Sequence, residues 1–232
     1  MMTQHYRFPA SAELNRRLPK ETFYQRLNLG SALRHAFVVQ LQEIVWKYKL
    51  ADGTLNLASN SDYPELQVID IELKDGASDI DVAVLRAIDS LIVFPVYFRV
   101  TRRCNGVLQI QYQLGYKHPV TEVQHKVTPI RYFASGWFSL PDEKDLVPLP
   151  VALNISQLYR QLLQPLATLP PRRDEPLTMW MARLEDIARQ EKRISQQQKQ
   201  LQREKQFNRR VELNRELVEL RHALAALQAV DD

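Results

Sequence analysis

A single cysteine, Cys104, and only six glycines among 232 residues remove several kinds of protein from consideration at once. One cysteine cannot close an internal disulfide, and it fits a reducing compartment. Glycines this sparse build neither a phosphate-cradling loop nor a nucleophile elbow. The five histidines, His5, His35, His118, His125 and His222, lack ligand spacing, so no metal and no cofactor is expected. No apolar run is long enough for a transmembrane helix and no charged-then-apolar leader follows Met1, so a soluble cytoplasmic chain without membrane attachment is expected. A charge excess of one sign is missing too. With 31 basic residues against 27 acidic ones, the formal net of +4 is too mild to mark a nucleic-acid binder.

What is present begins with material for a core: 45% of the residues are hydrophobic, and the length suits one globular domain plus an appendage. The appendage is the stretch from Asp174 to Val230, which has no glycine and no proline beyond Pro176. It reads as one long helix or two end to end. Leu213, Leu217, Leu220, Leu224 and Leu227 alternate steps of four and three, the a/d spacing of a coiled-coil seam. Trp180, Leu184, Ile187, Ile194 and Leu201 keep a similar beat in another register, which predicts a slip or kink near Phe207. From Arg189 to Arg215 nine basic residues against three acidic ones leave +6, so the middle of this arm is basic.

Upstream, Leu33, Ala36, Phe37, Gln40, Leu41 and Ile44 lie on one face of a predicted helix that Ser31 caps. Val45 to Leu50 follows as a strand, with Asp52-Gly53 as a turn and Thr54 to Ala58 as a short return. Leu66 to Leu73 is a second strand. Ser78 is the expected cap of a helix reaching about Leu91, and Val93 to Thr101 is the next strand, so strand, helix and strand predict a parallel pair. Asn105-Gly106 predicts a hairpin into Leu108 to Tyr116, whose glutamines at 109, 111 and 113 suggest one wet face. Ile130 to Phe138 reads as a further strand, and Ile155 to Leu163 as a helix ended by Pro165. The expected class is α+β: a mixed sheet flanked by helices with a long C-terminal coiled-coil-like helical arm. The expected division is an N-terminal segment 1–17, a globular domain 18–169, and linker plus arm 170–232.

Two patterns could carry chemistry. Asp70, Glu72 and Lys74 share one strand face in the acid-x-Lys spacing that many nucleases place at a divalent metal. The third carboxylate such a site needs is not apparent, since Asp52 and Asp62 fall in loops. Trp46, Lys47, Tyr48 and Lys49 mix aromatics with bases, as nucleic-acid surfaces do. The simpler reading puts Trp46, Tyr48 and Leu50 on one face with Ile44, leaving Lys47 and Lys49 exposed.

Leu18-Pro19-Lys20, the Ile44 to Leu50 run, the Glu65 to Lys74 strand, and Glu204-Lys205-Gln206-Phe207-Asn208-Arg209-Arg210-Val211-Glu212-Leu213-Asn214 together resemble the bacterial domain-of-unknown-function family numbered 4391. Leu18 stands where Ile is expected before Pro-Lys. The Glu-Lys-Gln-Phe-Asn run is the most specific piece, because a coiled coil does not need Phe or Asn there. The resemblance implies an accessory protein from gene neighbourhoods holding a restriction methyltransferase and a helicase, with a role in defence against foreign DNA. It offers no catalytic residues to carry over. It also suggests that Phe207, Asn208 and Asn214 dock the arm on its own globular domain, a second copy or a larger partner, the alternative being that Phe207 fills the register slip; Arg203, Arg209 and Arg210 in the basic stretch and the seam leucines are the further candidate contacts that charge and spacing supply. The expectation is thus a non-catalytic scaffold subunit that binds a restriction methyltransferase or helicase subunit or a second copy through the arm. A metal-dependent nuclease subunit and a DNA-binding adaptor are the alternatives.

Overall fold

The computed structural model describes residues 5–121 and 131–229, which divide into two compact units, one through Ala167 and one from Thr168. The first is built on a mixed sheet. In chain order its elements are β1 (Tyr6–Arg7), β2 (Glu13–Arg17), α1 (Lys20–Arg26), α2 (Ser31–Gln40), β3 (Leu41–Ala51), α3 (Asp52–Leu55), β4 (Glu65–Leu73) and α4 (Val82–Asp89). These are followed by β5 (Val96–Cys104), β6 (Val107–Tyr116), β7 (Arg131–Ala134), β8 (Phe138–Ser139), β9 (Val147–Pro148) and α5 (Ile155–Leu163). The seven-stranded sheet runs β2-β3-β4-β5-β6-β7, with β8 also on β6, while β1 and β9 form a separate parallel pair. Among the described residues the one parallel pair within the large sheet is β4 with β5, joined through α4 as the strand-helix-strand order predicts. Asn105 and Gly106, at φ of 48° and 78°, make the tight turn between β5 and β6.

Sequence and structure part at several boundaries. The helix expected to reach Ile44 stops at Gln40, and Leu41 begins a strand. Leu41 and Ile44 both remain buried because the β3–β4 register shifts between Leu41 and Glu43. A second shift between Trp46 and Tyr48 separates residues expected on one face. Trp46 pairs with Ile69 and stays on the side of Ile44, while Tyr48 and Leu50, opposite Val68 and Leu66, face the other way. The expected caps also move. Gly30, not Ser31, precedes α2, and Asp81, not Ser78, caps α4 by accepting from the Ala83 amide at 2.8 Å. Residues 54–58 form no return strand; Asp52–Leu55 is a helical turn held by the Thr54 hydroxyl, which accepts from the Ala51 amide.

One face of the sheet packs under α1, α2 and α4, where Phe37, Leu41, Ile69, Ile71, Val84, Ile88, Phe98 and Val100 are fully or almost fully buried. The glutamines of β6 are not on a wet face: Gln111 and Gln113 are buried, Gln113 donating to Gln111 at 2.7 Å and Gln111 to the Ser135 carbonyl at 3.0 Å. The strand expected from Ile130 begins at Arg131, with Ile130 itself, like His125, outside the described residues. The opposite face buries Leu50, Leu66, Val68, Tyr97 and Leu114. Within the N-terminal segment, residues 5–17 contribute β1 and β2.

The second unit is a helical hairpin. α6 (Leu177–Arg203) and α7 (Phe207–Gln228) are separated by Glu204–Gln206, whose first residue accepts from the amides of Lys205 and Gln206 through its carboxylate. The chain therefore does not continue end to end past Phe207 but folds back. Gln197 of α6 meets Glu216 of α7, and Arg183 reaches the carbonyl of Leu227, so the helices run antiparallel. Among the described residues no helix is long and apolar enough to cross a membrane.

Candidate functional site

The acid-x-Lys strand delivers Asp70 and Glu72 to one face of the sheet, but neighbouring strands decide what they can do. Arg99 lies directly opposite Asp70 on β5 and forks onto it, Nε and Nη2 each donating to one carboxylate oxygen at 2.6 Å. Burial works against the guanidinium's charge, and the two bonds to Asp70 outweigh it, holding Arg99 above its ordinary range. Glu72 is exposed and borders a cavity of about 360 Å³ with Asp70, Asn15, Glu43, Lys47, Arg99 and Thr101. Lys74, one residue past β4, is not among the residues that line it. The carboxylate on an adjacent strand that the pattern lacked is Glu43, paired in register with Glu72 and held by Arg17 at 3.0 Å. A single sequence does not show which strands are neighbours, so Glu43 carries no signal of this pairing before the fold. Among the described residues no three His, Cys, Asp or Glu side chains converge in a way that could hold a metal.

Lys47 and Lys49 are exposed only in part, and both are neutralised. Lys47 pairs with Glu13 at 2.9 Å and donates to Asn15 at 3.0 Å, while Lys49 pairs with Glu65 at 2.6 Å. Trp46 donates its indole N–H to Gln67, and Tyr48 stacks on Phe8 with ring centres 4.9 Å apart. These aromatics are engaged within the unit. Leu18 and Lys20 hold the α2–β3 junction: the Leu18 amide donates to the Ile44 carbonyl at 2.8 Å, and the Lys20 ammonium to the carbonyl of Leu41.

On the hairpin the predicted residues fall on two faces. Leu213 and Leu217 are buried and Leu220, Leu224 and Leu227 half-buried on the side of α7 that meets α6, so the seam is covered within one chain. Phe207 is 77% exposed, and Val211 and Val218 follow it at helical spacing on the other side, with Asn214 between them. Asn208 is also exposed. Arg209 pairs with Glu212 at 2.7 Å; Arg203, Lys205 and Arg210 have no carboxylate partner among the described residues.

The family model described as Domain of unknown function (DUF4391) matches residues 7–224, from β1 into the last turns of α7. The chain belongs to this family. That span takes in the sheet and the hairpin of this DUF4391 protein alike. No curated protein and no solved structure matches the chain.

A centre with no sequence signal lies under α4. Lys117 and Asp89 are wholly buried as an ion pair at 2.5 Å. The ammonium also donates to the carbonyls of Asp89, Ile92 and Phe94, and the Tyr132 hydroxyl donates to the second oxygen of Asp89 at 2.7 Å. Burial pushes the Asp89 carboxyl up to about 6 and the Lys117 ammonium down. The centre is enclosed, so it reads as a tie rather than a reactive site.

Proposed function

We propose that this protein is a non-catalytic accessory subunit of a bacterial restriction or helicase-methyltransferase defence assembly, docked on a protein partner by the outer face of its hairpin. The observation that carries the reading is Phe207, exposed at the hairpin turn at the head of the Val211–Val218 stripe while the leucine seam is satisfied inside. A large aromatic left in water beside unpaired bases suits an anchor for a partner pocket with an acidic rim. The same bases could instead follow a phosphate backbone, but Phe207 and Asn208 in the same turn favour a packed protein surface. Co-expression with the neighbouring methyltransferase and helicase subunits tests this. Changing Phe207→Ser with Val211→Ser should abolish co-purification without shifting the melting temperature by more than a few degrees, because both side chains are exposed. Unchanged co-purification places the docking face elsewhere, and no complex with wild-type chain sinks the assembly reading.

The Glu43–Glu72 cross-strand pair favours a second reading, a metal-dependent nuclease subunit, by supplying the carboxylate on a neighbouring strand that such chemistry requires. The bidentate use of Asp70 by Arg99 weighs against it. Pure protein with plasmid, Mg²⁺ and Mn²⁺ should leave the DNA intact. Cleavage lost in Glu72→Ala, Lys74→Ala and Glu43→Ala alike would reverse the order of the two readings.

A further inference from the structure

A cavity of about 840 Å³ opens on the sheet face that carries Arg99, between β1, β3, α5 and the segment 146–152. Its walls are mostly apolar, with Phe8, Tyr48, Leu57, Leu149 and Leu158 among them. Small-molecule sites typically span about 300–1,000 Å³ with apolar walls and a few placed polar groups. Here the placed group is Arg99. Its fork to Asp70 fixes the guanidinium plane, and the rings of Phe8 and Tyr48 lie 5.4 Å from its central carbon. The fork uses Nε and Nη2, so the Nη1 donors have no acceptor among the described residues. A second guanidinium, Arg7, donates to the main-chain carbonyl of Glu143 at 2.9 Å and has no carboxylate partner among the described residues. The lining holds one carboxylate, Glu143, at the exposed rim, and Asp70, already forked by Arg99, offsets one of the two cations. Pro148 and Pro150 stiffen the outer wall, so little backbone freedom is lost when something enters.

We propose that this cavity is a binding site for a small amphipathic carboxylate, whose hydrocarbon body lies among the leucines and aromatic rings and whose carboxylate accepts from Nη1 of Arg99. The guanidinium can form an ion pair with the carboxylate but only a hydrogen bond with a hydroxyl, which selects the acid over the alcohol of the same length. Every residue lining the cavity belongs to the first unit.

Calorimetric titration of the full chain with octanoate and with octan-1-ol tests it. Saturable octanoate binding at one site is expected, at least tenfold tighter than octan-1-ol. Ala152→Trp, which fills the cavity from its wall, should abolish binding, and Arg99→Gln should weaken it at least tenfold. Should Arg99→Gln fail to fold, Arg7→Gln on the exposed rim must still weaken octanoate several-fold while leaving octan-1-ol unchanged. Equal affinity for acid and alcohol overturns the assignment of the head group. Absence of saturable octanoate binding, or binding untouched by Ala152→Trp, overturns the site.

Discussion

Lys117 is wholly buried, a rare position for a lysine. A lysine with no exposed surface is tolerated because its ammonium has a carboxylate and three main-chain carbonyls around it, those of Asp89, Ile92 and Phe94 at the end of α4. The segment after a helix leaves carbonyls that need donors, and here one side chain supplies them from β6's far end. Replacing Lys117→Met leaves those carbonyls without their donor and Asp89 with the Tyr132 hydroxyl in place of an ion pair. The expected loss is about 3–5 kcal/mol, read as a lower urea midpoint at unchanged m-value. The sequence held no sign of this. Lys117 follows an alternating strand and precedes His118, and Asp89 sits among apolar helix positions, each looking like an ordinary surface charge until the fold brings them together.

At the scale of elements, the hairpin depends on Glu175 at its base. Arg183 forks onto Glu175 at 2.8 Å and also donates to the carbonyls of Pro170 and Leu227; Arg172 donates to those of Ala226 and Ala229. The two arginines thus answer the carbonyls that end α7. Burial pulls the Glu175 carboxyl upward, but the bonds from Arg183 and from the Arg172 amide outweigh it and leave it below the ordinary glutamate value of 4.5. A depressed acid contributes stability that is present above its unfolded-state value and lost as pH falls through the folded one. Melting the hairpin at successively lower pH should therefore show a loss beginning below about pH 4.5 that Glu175→Gln removes. At neutral pH the same variant should be roughly 3 kcal/mol less stable. Much of this level was legible. The order of strands and helices, the parallel β4–β5 crossover and the α5 span follow from periodicity. It did not show β1, β2, α1 or β9, and two further features escaped it. Shifts of register in β3 moved Tyr48 and Leu50 to the other face, and a period-two count has no way to see a bulge. The turn at Glu204–Gln206 read as a slip or kink in one long helix or between two end to end, because the heptads on either side are equally consistent with a helix pairing its own other half.

At the scale of the whole molecule, the first unit holds its own core of residues drawn from Phe23 to Val100. A chain ended at Ala167 should fold on its own, melt cooperatively and keep octanoate binding while losing co-purification with neighbouring subunits; a molten product would show that the hairpin completes the core. Most of the candidate site was less legible than the fold, since Arg99, Glu43 and the wall from Leu146 to Ala152 acquire meaning only from which strands lie side by side. The outer strand of the sheet has one more consequence. Each residue of β2 is exposed, Glu13, Arg16 and Arg17 are charged, and Asn15 turns to a φ of 49° in the middle of the strand. A foreign strand approaching that margin meets a bent ladder and charges instead of a straight row of donors and acceptors, so this border of the sheet resists cross-β growth.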